Sequence, residues 1–186
     1  MGLKVVAIID SKWDNKAMIV RVIGDITEDS YKQFSKDMSK AFKRLDDLKE
    51  LEIELVSAGG VADVGLAFYG LIRAYAQRCT VCITVHGYCA SAAIAILAAG
   101  DFRTATPEAT FLIHNSRANI KNADHSEMQH AADKLESEEK AWAKLLEGRT
   151  STPASVWRQL STQSVTMKSD EALQFRLLTS ILKDRK

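Results

Sequence analysis

Short strand-like segments alternate with helix-like segments along almost the whole of this 186-residue chain. The strand-like segments cover residues 5–9, 18–23, 50–56, 81–86, 110–113 and 180–182. The helix-like segments cover residues 27–48, 62–75, 90–99, 123–146, 153–160 and 169–175. A chain with this alternation folds as an α/β domain with a largely parallel sheet, and we expect a single domain over residues 1–186.

The composition excludes several classes of protein. Apolar residues make up 46% of the chain, which is enough for a sizeable core and too much for a disordered protein. Lys and Arg number 25 against 24 Asp and Glu, so the chain lacks the basic excess of a nucleic-acid-binding protein. The longest nearly apolar run, residues 89–99, has about half of the roughly 20 residues that a membrane-spanning helix needs. We therefore expect neither a nucleic-acid nor a membrane partner.

The first residues and the cysteines predict the compartment. No secretory signal precedes the first strand-like segment, so we expect a cytoplasmic location. The three cysteines, Cys79, Cys82 and Cys89, are too few and too crowded for a disulfide framework, which fits a reducing compartment. Cys79 and Cys82 form a C-x-x-C pair, but a structural zinc site needs four ligands and the sequence has no second pair. We expect no metal and no other cofactor.

Two turns between a strand-like and a helix-like segment are the strongest candidates for a functional site. They are residues 57–61, which include Gly59 and Gly60, and residues 87–91, which end at Ser91. Binding sites in parallel α/β sheets lie at the carboxyl ends of strands, where such turns occur. The glycine pair can present backbone N–H groups to a ligand, although a plain tight turn uses the same residues.

Ser91 and His114 are candidates for a nucleophile and a base. Ser91 is predicted in the first turn of a buried helix, where unpaired backbone N–H groups stabilise a developing anion. His114 follows an apolar strand, and a neutral imidazole is the natural base for a serine hydroxyl. Each residue alone is explained as simply by a helix cap or by a structural histidine. The remaining histidines, which lie at a strand end or on a charged helix, are weaker candidates: His86, His125 and His130.

Several short motifs, in this order and spacing, resemble those of the ClpP-type serine peptidases, the proteolytic subunits of the caseinolytic protease, and their phage-encoded relatives. Residues 23–26 resemble the opening segment of that family, and residues 57–61 resemble its Ser-Pro-Gly-Gly-Val turn, with alanine replacing proline. Residues 87–93 resemble the segment around its nucleophile, and residues 111–115 resemble the segment that holds its base. Residues 171–178 resemble its Glu-Ala-x-x-Tyr-Gly-Leu-Ile segment. The resemblance spans residues 23–182 and implies a ClpP/crotonase-type spiral of β-β-α units.

The resemblance implies a serine endopeptidase that acts on peptides or unfolded proteins. Ser91 would attack the peptide carbonyl, and His114 would take the hydroxyl proton and return it to the leaving amine. The backbone N–H groups of Gly60 and Ala92 would form the oxyanion hole. The third triad residue of the family is usually an aspartate, and Ser164 stands at that position, which implies a lower rate. The nearby residue Asp170 is explained more simply as the start of a helix.

The long helix predicted over residues 123–146 is expected to protrude. It has an apolar stripe beside several charged residues, and in the resembling family such a helix interdigitates between two stacked rings. A helix packed on its own domain is the simpler alternative. The resemblance implies self-association into rings that enclose a chamber, as a heptamer or a stacked double ring, with an ATPase unfoldase as a further partner.

Two other functions are compatible with the sequence. One is a catalytically weak structural subunit that completes a mixed ring, because Ser164 replaces the aspartate. The other is a crotonase-type acyl-CoA enzyme, which shares the spiral fold and an oxyanion hole but needs no serine–histidine pair.

Overall fold

The computed structural model describes residues 6–8, 17–44, 48–118 and 120–183. The strands of these residues are β1 (Val6–Ile8), β2 (Ala17–Ile26), β3 (Glu50–Gly60), β4 (Thr80–Ala90), β5 (Phe102–Ala105), β6 (Thr110–Ile113), β7 (Val165–Lys168) and β8 (Ser180–Ile181). The helices are α1 (Glu28–Arg44), α2 (Ala62–Tyr75), α3 (Ala93–Ala98), α4 (His125–Thr150), α5 (Ala154–Gln163) and α6 (Ser169–Gln174). Within the described ranges, no helix has the length and apolar character needed to cross a membrane.

The strands of the described residues form one mixed sheet in the order β1-β2-β3-β4-β5-β8. All neighbours in that order pair in parallel except β1 and β2, which are antiparallel. Strand β6 pairs in parallel with β4 and antiparallel with β7. The predicted α/β domain with a largely parallel sheet is therefore confirmed. Strands β5 and β7 were not predicted from the sequence, because four residues are too few to show a clear alternation.

Strand β4 pairs with two different strands in succession. Its residues 82–85 pair with β5, and its residues 88–90 pair with β6. The sequence predicted a strand over residues 81–86 only, because Gly87 and the exposed Tyr88 interrupt the alternation of buried residues. The additional length brings the end of β4 beside the end of β6.

The extension of β4 also corrects the prediction for the following helix. Helix α3 begins at Ala93, whereas the sequence predicted a helix from residue 90 with Ser91 in its first turn. Ser91 instead lies in a turn between β4 and α3, with a φ of 54°. The prediction that this apolar helix is buried is confirmed, since every residue of α3 is in the core.

Helix α1 begins where the sequence predicts. The Thr27 hydroxyl accepts the Ser30 N–H at 3.2 Å, and the Ser30 hydroxyl accepts the Thr27 N–H at 2.9 Å. Phe34 and Met38, one turn apart, are fully buried. The helix ends at Arg44 and not at residue 48. Residues 45–47 lie outside the described residues, as do residues 5 and 9 of the first predicted strand.

Helix α4 is exposed along its first half and anchored at its end. All side chains of residues 125–130 are exposed, whereas Ala143, Leu146 and Thr150 are buried. Near the end of the helix, Arg149 donates to the carbonyl oxygens of Ala98 and Gly100, each at 2.8 Å. The long helix predicted over residues 123–146 thus covers residues 125–150, and the side chains of its first six residues are exposed.

The turn after β4 packs directly on two glycines. A Cβ atom at Gly59 would lie 2.6 Å from both the Ala90 oxygen and the Ser91 Cβ, and one at Gly65 would lie 2.6 Å from the Ala92 oxygen. Gly59 also has a φ of 94°, which L side chains rarely adopt. The contact between the end of β3 and the turn after β4 therefore requires glycine at these positions.

Gly59→Ala is expected to lower the free energy of unfolding by about 2 kcal/mol or more, since the new methyl group collides with backbone atoms at a positive φ. Gly70→Ala, on α2 with no atom within 4 Å of the added Cβ, is the matched control and is expected to raise it by about 0.5–1 kcal/mol. Urea denaturation of both variants measures the difference. Wild-type stability in Gly59→Ala would show that the two turns do not pack as described.

Candidate active site

Ser91 and His114 follow the carboxyl ends of two paired parallel strands. Ala90 of β4 pairs with Leu112 of β6, and the Ser91 N–H donates to the Leu112 oxygen at 3.0 Å. Neighbouring strands lie about 4.8 Å apart, so the residues that follow β4 and β6 meet at one edge of the sheet. The pairing brings together two residues that are far apart in the sequence.

Ser91 and His114 line the same open cavity. The other walls come from the segment after β6 and from helices α4 and α5, including Trp142, Leu146 and Trp157. Among the described residues, no hydrogen bond joins the Ser91 Oγ to the His114 imidazole. The two candidate groups therefore share a cavity without a hydrogen bond between them.

Ser91 is held in a conformation that is uncommon for a residue other than glycine. Its φ of 54° lies in the left-handed region, which costs a serine on the order of 1 kcal/mol. The bond to the Leu112 oxygen and the close packing on Gly59 compensate for this cost. Strained backbone of this kind is concentrated at active sites, where it fixes the direction of a reacting side chain.

The hydrogen bond of His114 assigns its tautomer. Its Nδ1 lies 2.7 Å from the backbone oxygen of Asn115. A carbonyl oxygen can only accept, so Nδ1 carries the proton and the neutral ring has its lone pair on Nε2. This is the tautomer that a general base needs. The role of Asn115 as the partner of Nδ1 was not predicted, because a backbone carbonyl has no signature in the sequence.

Ser164 occupies an exposed turn near the same edge of the sheet. It is the C-cap of α5 with a φ of 52°, and it precedes Val165, which pairs with Ile113 across β6 and β7. Within the described ranges its hydroxyl makes no hydrogen bond, and the Nδ1 proton of His114 goes to Asn115. Asp170 is exposed in the first turn of α6, as expected for a helix start.

The two candidate oxyanion donors lie on segments that touch each other. A Cβ at Gly59 would be 2.9 Å from the Ala92 nitrogen, so the glycine pair lies against the turn that carries Ala92. The Ala92 N–H donates to no backbone oxygen of the described residues. Gly60 lies inside β3, paired with Ile26, and not beyond the end of the strand as predicted.

The cysteines are poor nucleophiles. Burial raises the pKa of the Cys89 thiol far above its usual range. Burial and the nearby Glu50 raise the pKa of Cys82 to about 12, so its thiolate is scarce at neutral pH. The described part of the chain has no group of three His, Cys, Asp or Glu side chains placed to hold a metal ion.

Comparison with known proteins gives the family. The family model described as Clp protease matches residues 8–185. The structure of a ClpP1 mutant from Listeria monocytogenes is similar to this chain with a TM-score of 0.79 and 18% sequence identity, covering 92% of this chain and 94% of that chain. The structural likeness confirms the predicted ClpP-type fold. Because the family model matches nearly the whole sequence, the chain belongs to the Clp protease family.

Proposed function

We propose that the protein is a serine endopeptidase that hydrolyses peptides or unfolded proteins inside a ring-shaped chamber. Membership of the Clp protease family supports a peptidase and disfavours the acyl-CoA alternative. The observation that carries the assignment of residues is the shared cavity: it contains the Ser91 hydroxyl and an imidazole whose Nδ1 proton is already bound by a carbonyl. Ser91 is then the nucleophile and His114 the general base.

The proposed reaction has two halves, acylation and deacylation, and the same catalytic groups act in both. Nε2 of His114 takes the hydroxyl proton as the Ser91 Oγ attacks the carbonyl carbon of the substrate. The backbone N–H groups of Gly60 and Ala92 hold the negative oxygen of the tetrahedral intermediate. The imidazolium gives its proton to the leaving amine, and a water molecule, activated in the same way, then hydrolyses the acyl-enzyme.

The serine and the imidazole must approach each other before this reaction begins. Catalytic hydrogen bonds are often long without substrate and tighten in the substrate complex. His114 and Asn115 begin a segment without regular structure whose side chains are half-buried or exposed, so this segment can shift more easily than β4 or α3. We infer that substrate binding or ring assembly moves His114 toward Ser91.

Assembly into rings is part of the same proposal, because the chain belongs to the Clp protease family. ClpP family members form ring oligomers that work with ATPase partners. The exposed first half of α4 has few buried side chains of its own, which fits a contact between two stacked rings. Enclosure of the cavity in a chamber would restrict cleavage to chains that are short or unfolded.

Ser91→Ala is expected to abolish covalent labelling by a fluorophosphonate probe and to reduce peptide hydrolysis by at least about 10³-fold, because the attacking oxygen is lost. His114→Ala is expected to slow labelling by a similar factor, since the base is removed. Ser39→Ala, an exposed serine on α1, is the control and should label at the wild-type rate. Mass spectrometry of the labelled peptide identifies the site; unchanged labelling of Ser91→Ala would overturn the assignment.

A catalytically weak structural subunit is the second candidate, favoured by the environment of His114. Among the described residues, the only acceptor of the His114 Nδ1–H is a neutral carbonyl, and Ser164 provides no carboxylate. A neutral acceptor fixes the tautomer but does not stabilise the imidazolium that forms during the reaction. On this account the purified chain has little activity alone and completes a ring with an active partner.

Ser164→Asp is expected to raise kcat at least about tenfold, since loss of the orienting carboxylate from a triad costs up to 10⁴ in kcat. Aspartate tolerates the left-handed φ of this position. Ser164→Asn, of the same shape without charge, is the control and should change kcat little. Steady-state hydrolysis of a fluorogenic peptide by the purified chain measures both variants. No gain in Ser164→Asp would show that this position does not act on His114.

A further inference from the structure

The sheet is irregular in one row of residues just before the candidate site. Between β2 and β3, residues 23–25 pair with residues 56–59, so β3 has one extra residue there. Between β3 and β4, residues 55–57 pair with residues 85–89, so β4 has two extra residues. Such β-bulges bend a strand and interrupt the ladder of hydrogen bonds. The backbone groups in this row therefore need partners from outside the ladder.

The Ser57 hydroxyl is the partner of two backbone groups in this row. It donates to the Gly24 oxygen on β2 at 2.6 Å and accepts the Gly59 N–H at 3.0 Å. A hydroxyl has one hydrogen to donate and lone pairs to accept, so both bonds exist together. The Ser57 side chain is fully buried, where water cannot replace either bond. Ser57 thus ties β3 to β2 and fixes the backbone two residues further along.

The residues held by Ser57 are the glycine pair beside Ser91. Gly59 packs on the turn of Ser91, and Gly60, whose N–H is the proposed oxyanion donor, follows directly. Both glycines have a positive φ, 94° and 154°. Glycine imposes little conformational preference of its own, so the direction of the Gly60 N–H depends on the bonds that hold its neighbours.

We propose that Ser57 is a positioning residue of this site and that its hydroxyl directs the Gly60 N–H at the oxyanion. The proposal rests on the peptidase function proposed above, in which Gly60 is an oxyanion donor. The bond to the oxyanion forms only as negative charge develops on the substrate oxygen, so a misdirected donor weakens transition-state binding more than substrate binding. Loss of the Ser57 hydroxyl should therefore lower kcat and leave KM nearly unchanged.

Ser57→Ala is expected to lower kcat by about 10–100-fold, with KM within about threefold of the wild-type value. Complete removal of an oxyanion-hole donor costs about 10²–10³ in kcat, and a displaced donor costs less. Ser57→Cys fills a similar space with a thiol that forms weak hydrogen bonds, and it should show a similar loss. Steady-state hydrolysis of a fluorogenic peptide by each purified variant measures both constants. A kcat of Ser57→Ala within about twofold of the wild-type value would overturn the proposal.

Ser169→Ala is the matched control for the loss of a buried hydroxyl. The Ser169 side chain is also fully buried, and its Oγ lies 2.7 Å from the Thr106 oxygen and 3.3 Å from the Ala109 oxygen. Ser169 follows the end of β7 that pairs with the first residue of β6, whereas His114 follows the last residue of β6. The control should lose about as much stability as Ser57→Ala but keep kcat within about twofold of the wild-type value. Equal losses of kcat in the two variants would show a merely structural role and overturn the proposal.

Hydrogen exchange separates this proposal from the peptidase function, because it needs no catalysis. Backbone amides of residues 57–61 should exchange at least about tenfold faster in Ser57→Ala than in Ser169→Ala, since the Gly59 N–H loses its acceptor. Mass spectrometry of peptides from this segment measures the rates. Faster exchange supports the hold of Ser57 on the glycine pair even if wild-type protein cleaves no peptide and Ser91 is not labelled, which would refute the peptidase alone. Equal exchange in the two variants overturns the proposal, whatever their activity.

Discussion

The parallel pairing of the last residues of β4 with β6 is the constraint on which the candidate site depends. It sets the residues that follow each strand side by side, although 22 residues separate Ser91 from His114 in the sequence. For this pairing to form, β4 must continue beyond the residues that pair with β5. A strand that ended at residue 86 would leave the serine far from the histidine. The location agrees with the general rule that parallel sheets place their sites at the carboxyl ends of strands.

The candidate site also depends on close backbone packing between the β3–α2 connection and the turn after β4. Gly59 and Gly65 allow the β3–α2 connection to touch the turn of Ser91 and Ala92 without side chains between them. That contact supports the left-handed backbone of Ser91 and puts two segments with backbone N–H groups against each other. The Asn115 carbonyl orients His114, but it stabilises an imidazolium less than a carboxylate would, because it carries no full charge. The proposed base therefore has an orienting group that carries no charge.

The sequence was informative where a residue type has a local signal. The alternating pattern predicted the α/β sheet, the spacing of Phe34 and Met38 predicted α1, and the apolar composition of α3 predicted its burial. It failed where the outcome depends on tertiary contacts. The extension of β4 through Gly87 depends on pairing with β6, and the partner of His114 is a backbone atom.

We propose that the Ser91 hydroxyl and the His114 imidazole act together beside backbone N–H donors. A crystal structure of the assembled protein after reaction with a fluorophosphonate tests it most directly. We expect phosphorus bonded to the Ser91 Oγ, with the phosphoryl oxygen about 2.7–3.1 Å from the N–H nitrogens of Gly60 and Ala92 and with His114 Nε2 in hydrogen-bond reach of the adduct. An adduct on another residue, or an imidazole that stays out of reach in the assembled ring, would contradict it.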